Sequence, residues 1–338
     1  MADSIDVDRL SIWLHGNVPG YAGRPLLERF EGGQSNPTFK LTSGSGAYVL
    51  RRKPAGVVLP SAHAVDREFR VMRALVGSGV PVARPLALCE DATVIGSAFY
   101  VMEFVAGRVF WDQTLPGLSP AERTAVFASM NATIAALHSV DWRAAGLDGY
   151  GRPENYLARQ IARWGKQYRA AETTPIPAMD RLIEWLPRHM PARDATAIVH
   201  GDFRIDNLIF HPTEPRVVAV LDWELSTLGD PVADFAYHAM SWRISPKLFR
   251  GLAGVALAEL GIPDEADYAA AYFRRIGQEP VADWDYYIVF SLFRIAAILQ
   301  GILKRAQDGT AASAHAIDVG SRGALLAEQA WVLAQSLD

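Results

Sequence analysis

The chain has 338 residues, enough for one large or two medium domains with a sizeable buried core. A content of 50% hydrophobic and 21% charged residues excludes disorder, and 33 basic against 37 acidic side chains give a net charge of −4, without the basic bias of many nucleic-acid binders. The one cysteine, Cys89, excludes an internal disulfide; the N-terminus lacks the basic and apolar regions of a secretion signal, so the chain reads as cytoplasmic, with neither nucleic acid nor membrane as partner.

From Leu26 to about Val105 the pattern is strand-rich with one helix. Strands are predicted at Leu27 to Phe30, Thr38 to Thr42, Tyr48 to Arg52, Pro85 to Cys89 and Ala98 to Phe104, and a helix at Ala64 to Val76. Between the first two strands lies Glu31-Gly32-Gly33-Gln34-Ser35-Asn36. Its paired glycines permit a tight turn, and the amides and hydroxyl around Gly33, Ser35 and Asn36 can approach phosphates; a plain hairpin turn is the competing reading. On the strand Tyr48-Val49-Leu50-Arg51-Arg52-Lys53, period-two alternation sets Arg51 and Lys53 on one face and Arg52 on the other. Arg51 is the candidate phosphate cation, with Lys53 second. Glu68, ahead of the apolar stripe Val71, Met72 and Leu75, is the candidate carboxylate to hold it, unless it is a surface residue paired with Arg52 or Arg70. Tyr100 to Gly107 reads as a strand running into a hinge, where backbone groups near Glu103 and Val105 can pair with an adenine edge.

Beyond the hinge the pattern turns helical: Pro120 to His138, Glu154 to Tyr168, Met179 to Pro187, Pro246 to Leu260, Glu265 to Ile276, Trp284 to Ala306 and Ile317 to Ser336. The most apolar stretch, Tyr286 to Leu303, carries Arg294 and Gln300, which are costly in lipid, so it reads as a core helix. On it Phe290, Arg294, Ile298, Gly301 and Arg305 share a face. Arg294 among apolar neighbours needs a partner, either an internal acid or an anionic group of a substrate. Tyr287, with Tyr286 and Trp242, lines a pocket for an acyl group or belongs to the core.

One segment interrupts the helices. Short strands Ala197-Ile198-Val199 and Leu208-Ile209-Phe210 flank His200-Gly201-Asp202-Phe203-Arg204-Ile205-Asp206-Asn207, and the buried-strand run Val217 to Leu221 ends at Asp222. A catalytic Asp followed five positions later by Asn, and then by a second Asp after a strand, is the spacing of phosphoryl transfer. Asp202 takes the substrate proton, while Asn207 and Asp222 hold Mg²⁺. Glu224, two positions past Asp222, either assists a second Mg²⁺ or is a surface charge.

Taken in order, His200-Gly201-Asp202 through Asn207, Asp222-Trp223-Glu224 and Gly229-Asp230-Pro231-x-x-Asp234 resemble the aminoglycoside phosphotransferase and choline kinase family. The resemblance implies an α+β, protein-kinase-like two-lobe fold: a small antiparallel-sheet lobe with one main helix, expected over residues 1–104, binds the nucleotide. A large, mainly helical catalytic and substrate lobe is expected over residues 105–338. It implies ATP and Mg²⁺ as cofactors, a small-molecule hydroxyl as acceptor, and support of the catalytic loop by His200 and Asp234, for which simple helix capping is the local alternative. Many aminoglycoside phosphotransferases carry Lys where this chain has Arg51, whereas choline-kinase-like members resemble it in using Arg; the guanidinium keeps the charge and grips phosphate bidentately. Tyr48 to Pro54 and Phe293 to Gly301 look most like kinase domains fused to acyl-CoA dehydrogenases, which implies a hydroxylated acyl-CoA as acceptor, phosphorylated at its 4-hydroxyl. Choline, amino-alcohol and aminoglycoside kinases are the enzyme rivals and require an acidic acceptor pocket; a nucleotide-binding pseudokinase module is the rival opposed by the intact Asp202, Asn207 and Asp222 set.

Overall fold

A computed structural model describes residues 5–30, 36–54, 64–193, 195–310 and 315–338. In chain order the elements begin with α1 Val7–Asn17, β1 Leu26–Arg29, β2 Thr38–Ser43, β3 Gly46–Arg52, α2 Val65–Leu75, β4 Pro85–Cys89 and β5 Phe99–Glu103. Then follow α3 Pro120–His138, α4 Tyr156–Ala171, α5 Pro177–Trp185, β6 Ala197–Val199, β7 Leu208–Phe210, β8 Val217–Val220 and β9 Thr227–Gly229. The remainder is helical: α6 Pro231–Ala239, α7 Leu257–Leu260, α8 Glu265–Arg275, α9 Trp284–Gln307, α10 Ala316–Ser321 and α11 Gly323–Gln335.

Contacts divide the chain into two compact units, the first made of Met1–Arg108, Arg143–Leu147 and Asn207–Ser226, the second of the remaining segments. The single break expected after residue 104 therefore falls a few residues later, and the β7–β8 hairpin joins the first unit although it lies far along the chain. Backbone pairing explains this: Arg108 and Phe210 exchange both N–H···O bonds at 2.8 Å, and Gly107 sits where a Cβ would meet the Phe210 carbonyl oxygen at 2.2 Å.

In the first unit an antiparallel sheet runs β1-β2-β3-β5-β4. Alternation sorts its faces. Phe39, Leu41, Leu50, Phe99 and Val101 pack with Leu10 and Leu14 of α1, a helix started by the Asp6 cap and absent from the predicted elements. The opposite face carries Arg51 and Tyr100, paired across β3 and β5, against α2, whose Val71, Met72 and Leu75 are buried. Each such aliphatic side chain removed from water stabilises by about 1.5–3 kcal/mol.

In the second unit the 24-residue α9 is the central helix, packed by α4, α6, α10 and α11. It is long and apolar enough to cross a membrane, but 78% of its apolar window is buried inside the protein, as expected for a core helix. At the head of α6 the sequence explains the turn: Gly229 leaves room for the Tyr156 ring, which a Cβ would meet at 2.5 Å. Asp230 then caps the amides of Val232 and Ala233, and Pro231 takes the first helical position.

Two predicted helices differ. Of Pro246 to Leu260 only α7 is helical, because the chain doubles back: Leu252 donates to the Ser241 carbonyl and Ala253 to that of Ile244, with Gly251 pressed on Ile244 and Gly254 at φ 81°. Ile317 to Ser336 is two helices, α10 and α11. Gly320 and Gly323 there let the backbone approach Leu303 and Ala296 of α9.

Candidate active site

Within the first unit the β3 register places Arg51 beneath α2. Its Nε lies 2.8 Å from Glu68 Oε2, its Nη2 lies 2.8 Å from Asp222 Oδ1, and Glu224 is 3.8 Å away. Glu68 is not a surface residue but a buried one held on both oxygens, by Asn36 Nδ2 at 2.7 Å and by the Tyr100 hydroxyl at 3.0 Å. Burial raises its carboxyl pKa, while Arg51 and the Tyr100 hydrogen bond pull it down. For Arg51 burial opposes the charge, but Glu68, with Asp222 and Glu224, outweighs it and raises the guanidinium further. Lys53, past the end of β3, pairs instead with Asp66 at 3.6 Å.

The hairpin positions the two expected metal ligands. Leu208 pairs with Val220, and Leu221 N–H donates to the Asn207 carbonyl at 2.8 Å, so Asn207 and Asp222 stand at adjoining strand ends. Asp222 has φ 63° and ψ 60°, a left-handed conformation unfavourable for a residue with a side chain, and it opens a 3-10 turn, Trp223–Leu225, that packs under α2. Asp222 and Asn207 are hard oxygen donors of the kind Mg²⁺ accepts, and three carboxylates around one guanidinium leave an excess of negative charge that suits a divalent cation. Among the described residues no group of three or more His, Cys, Asp or Glu converges on a metal position.

Within the second unit the loop after β6 is fixed by its backbone. Asp234, buried in the first turn of α6, accepts from His200 N–H at 2.7 Å and Gly201 N–H at 2.8 Å, while His138 Nε2 lies 3.1 Å from the same carboxylate. The capping alternative falls to Asp230. Burial works against the Asp234 charge, but His138 and the loop amide bonds hold its pKa below the usual carboxylate range. Gly201 has φ 82°, which only glycine adopts readily, and His200 Nδ1 accepts from Asp202 N–H at 3.2 Å. The loop thereby presents Asp202, whose pKa is raised by burial against the opposing pull of Arg204, His200 and Arg294; Arg204 Nε stands 3.5 Å from its Oδ1. Tyr237 lies beside Asp202, and burial first and the Asp202 charge second push its phenol up to about 12.

Several expected positions are placed differently. Gly33 and Ser35 lie outside the described residues. Asn36, expected at the phosphates, is buried and orients Glu68. Arg294, expected to pair with an internal acid or a substrate anion, is buried, donates to the Gly201 carbonyl oxygen and stacks 4.3 Å from the Tyr237 ring centre, so it braces the loop from behind. Tyr287 is fully buried with its hydroxyl on Asp230 at 3.1 Å, and Tyr286 and Trp242 likewise bond to backbone carbonyls in the core. Glu103 ends β5 with its N–H on the Arg84 carbonyl, and Val105 follows beyond the strand. Sequence reasoning passed over Tyr100, His138, Arg204 and Tyr237. Arg204 stands inside the catalytic string, where its charge beside Asp202 is readable; the other three carry no local pattern.

The family model of the phosphotransferase enzyme family matches residues 27–284. Acyl-CoA dehydrogenase family member 10 of Mus musculus is 48% identical over 331 residues, 97% of this chain but 31% of the mouse protein, so the chain spans about a third of that relative. A crystal structure from Ralstonia eutropha, provisionally described as an aminoglycoside phosphotransferase, is 57% identical with a TM-score of 0.92 and covers 98% of this chain and 99% of that one. Choline kinase of Cryptosporidium parvum has a TM-score of 0.66 over 98% of this chain and 96% of its own at 12% identity, a likeness of fold alone.

Proposed function

The chain belongs to the phosphotransferase enzyme family, and from that premise we propose that it moves the γ-phosphate of ATP to a hydroxyl of a small molecule, with Asp202 as base. It is a phosphotransferase with an alcohol group as acceptor. The observation that carries the nucleotide half is the pairing of Arg51 with both Glu68 and Asp222 at 2.8 Å: a cation steadied from a helix and touching a metal-type ligand is what triphosphate binding requires.

In this reading Arg51 turns its free donors to the phosphates while Glu68 keeps it in place, and the backbone beyond β5, at Glu103 and Val105, meets the adenine. Gly33 and Ser35 remain candidates for the phosphate loop. Asn207 and Asp222 hold Mg²⁺, which when bound neutralises charge on the phosphates. Asp202 orients the acceptor hydroxyl and takes its proton as the oxygen bonds to the γ-phosphorus; the bond to the bridging oxygen breaks and ADP leaves with that electron pair. The raised pKa of Asp202 makes it a better proton acceptor than an exposed carboxylate. Alignment and charge neutralisation supply most of the acceleration.

For the acceptor we favour a hydroxyacyl-CoA, such as a 4-hydroxyacyl-CoA, on the strength of relatives named as acyl-CoA dehydrogenase family members, whose further length lies outside this chain. The test is mass spectrometry after incubation with ATP, Mg²⁺ and a panel of 4-hydroxyacyl-CoAs, amino alcohols and aminoglycosides. Gain of one phosphoryl group by the hydroxyacyl compounds supports the assignment; gain by an amino alcohol or aminoglycoside alone replaces it with the rival kinase.

A further inference from the structure

Arg294 stands near the middle of α9, only 4% exposed, and its surroundings within the second unit are unusual for a cation. Its guanidinium donates to the Gly201 carbonyl oxygen and otherwise meets two rings, Tyr237 of α6 at 4.3 Å and Trp164 of α4 at 5.4 Å. Among the described residues no carboxylate forms an ion pair with it, and its Nε has no acceptor. A buried cation in that state is costly, and one carbonyl does not require it. Neutral amides do that task elsewhere in the unit: Gln300, farther along α9, donates to the Ala171 carbonyl at 2.9 Å, and Asn131 of α3 donates to that of Tyr268 at 2.8 Å. The charge at position 294 therefore serves something besides the bond.

The place of that bond is informative. The Gly201 carbonyl belongs to the peptide unit that leads into Asp202, and the N–H of the same unit donates to His200 Nδ1 at 3.2 Å. With its oxygen on Arg294 and its hydrogen on His200, the peptide plane is fixed at both ends, and that plane sets the direction in which the Asp202 side chain leaves the chain. The charge is directed as well. Asp202 is faced by Arg204, His200 and Asp206 from its own loop, by Tyr237 from α6 and by Arg294 from α9. Arg294 in turn is faced by Asp202, by Tyr237 and by Tyr156 of α4. Of the two arginines, Arg204 divides its charge between Asp202 and Asp206, at 3.5 and 3.2 Å, whereas Arg294 is drawn to no second carboxylate at ion-pair distance.

We infer that Arg294 is a positioning residue for the phosphoryl transfer: from behind the loop it locks the peptide plane from which Asp202 projects and holds a buried positive charge toward the Asp202 carboxylate. The inference rests on the kinase reading above and adds a residue that governs the base without reaching substrate or nucleotide. A carboxylate that orients a hydroxyl and stays ionised until it takes the proton needs a fixed direction and a compensating charge. One buried guanidinium supplies both.

The test follows transfer from ATP to 4-hydroxypentanoyl-CoA, or to the compound of the wider panel that gains phosphate in its place, in three variants compared per folded enzyme. Arg294→Lys keeps the charge, Arg294→Gln keeps a donor for the carbonyl, and Arg294→Met keeps neither. Turnover, kcat, should fall by about threefold in Arg294→Lys, about tenfold in Arg294→Gln and about 10²-fold in Arg294→Met, with KM for ATP and for the acceptor moved less than about threefold. The Arg294 charge lowers the Asp202 pKa, so its removal in Arg294→Gln and Arg294→Met should shift the acid limb of kcat to higher pH, while Arg294→Lys leaves the limb in place. If Arg294→Met does not fold, the other two carry the test. A purely structural role would lower the melting temperature and leave kcat per folded enzyme and the acid limb at wild-type values throughout. That result, or a raised acceptor KM with kcat unchanged, overturns the inference and leaves the kinase reading standing. ATP binding by the wild-type enzyme without transfer to any hydroxyl compound overturns both.

Discussion

The two charged clusters are built on opposite plans. In the first unit Arg51 is shared among Glu68, Asp222 and Glu224, and the Asp222 side chain is 35% exposed in a strained backbone. In the second, the loop of Asp202 is held by groups with almost no exposure: Asp234 takes two backbone amides, and Arg294 takes the Gly201 carbonyl. The first arrangement can exchange partners, as the proposed binding of phosphates and a cation would require. The second fixes the atom that, on the proposed function, meets a hydroxyl within a narrow range of angle and distance. On the proposed function, adaptable charge would serve the nucleotide and rigid placement the proton.

That contrast can be broken by mutation. The largest effect is expected at Asp202→Asn, which should lower kcat by about 10³-fold or more while ATP affinity, measured by calorimetry, stays near wild type. Wild-type-like turnover would remove Asp202 from the base role. Asp234→Ala should remove about 3–5 kcal/mol of stability, read from urea unfolding, since it strips a buried carboxylate from two amides and His138. Its depressed pKa gives a pH signature: the stabilisation is present above the ordinary aspartate range and is lost as pH falls through the lower folded-state pKa, an acid limb that the variant should lack.

Arg51→Met should lower kcat/KM for ATP by about 10²-fold, and Arg51→Lys by about tenfold because an ammonium cannot hold two carboxylates as a fork does. Both should change the melting temperature less than Asp234→Ala; the reverse order would mean that the first cluster is as structural as the second. The smallest effect concerns pH. Turnover needs Asp202 ionised, so it should fall in acid through a pKa above that of an ordinary aspartate, and Arg204→Met, by removing a charge that lowers this pKa, should shift the limb to higher pH. An unmoved or lowered limb would assign the titration to another group.

Much of the scaffold was legible from local pattern. The strands β2, β3, β4 and β5 and the helices α2, α3, α8 and α9 follow from alternation, helical spacing and caps, the Ser119–Glu122 capping box of α3 being visible as a string. The stretch after Pro246 misled because its apolar spacing is helical while its glycines answer to long-range contacts at Ser241 and Ile244. Asp234 and Asp230 were indistinguishable as caps until the partners of each carboxylate were seen. Arg294 was readable as a buried charge in need of a partner, but that partner is a backbone carbonyl 93 residues away.

The sequence by itself determined the motif, Asp202, Asn207 and Asp222 in order beside short apolar strands, because strand periodicity and motif spacing are local properties of the chain. Only the tertiary structure decided which charges meet. The pairing of Arg51 with Glu68 and Asp222, the removal of Arg294 and Tyr287 from any open pocket, and the sharing of Asp206 by two arginines all depend on contacts between distant segments. Burial sets the strength of such contacts, and burial is a property of the packed chain.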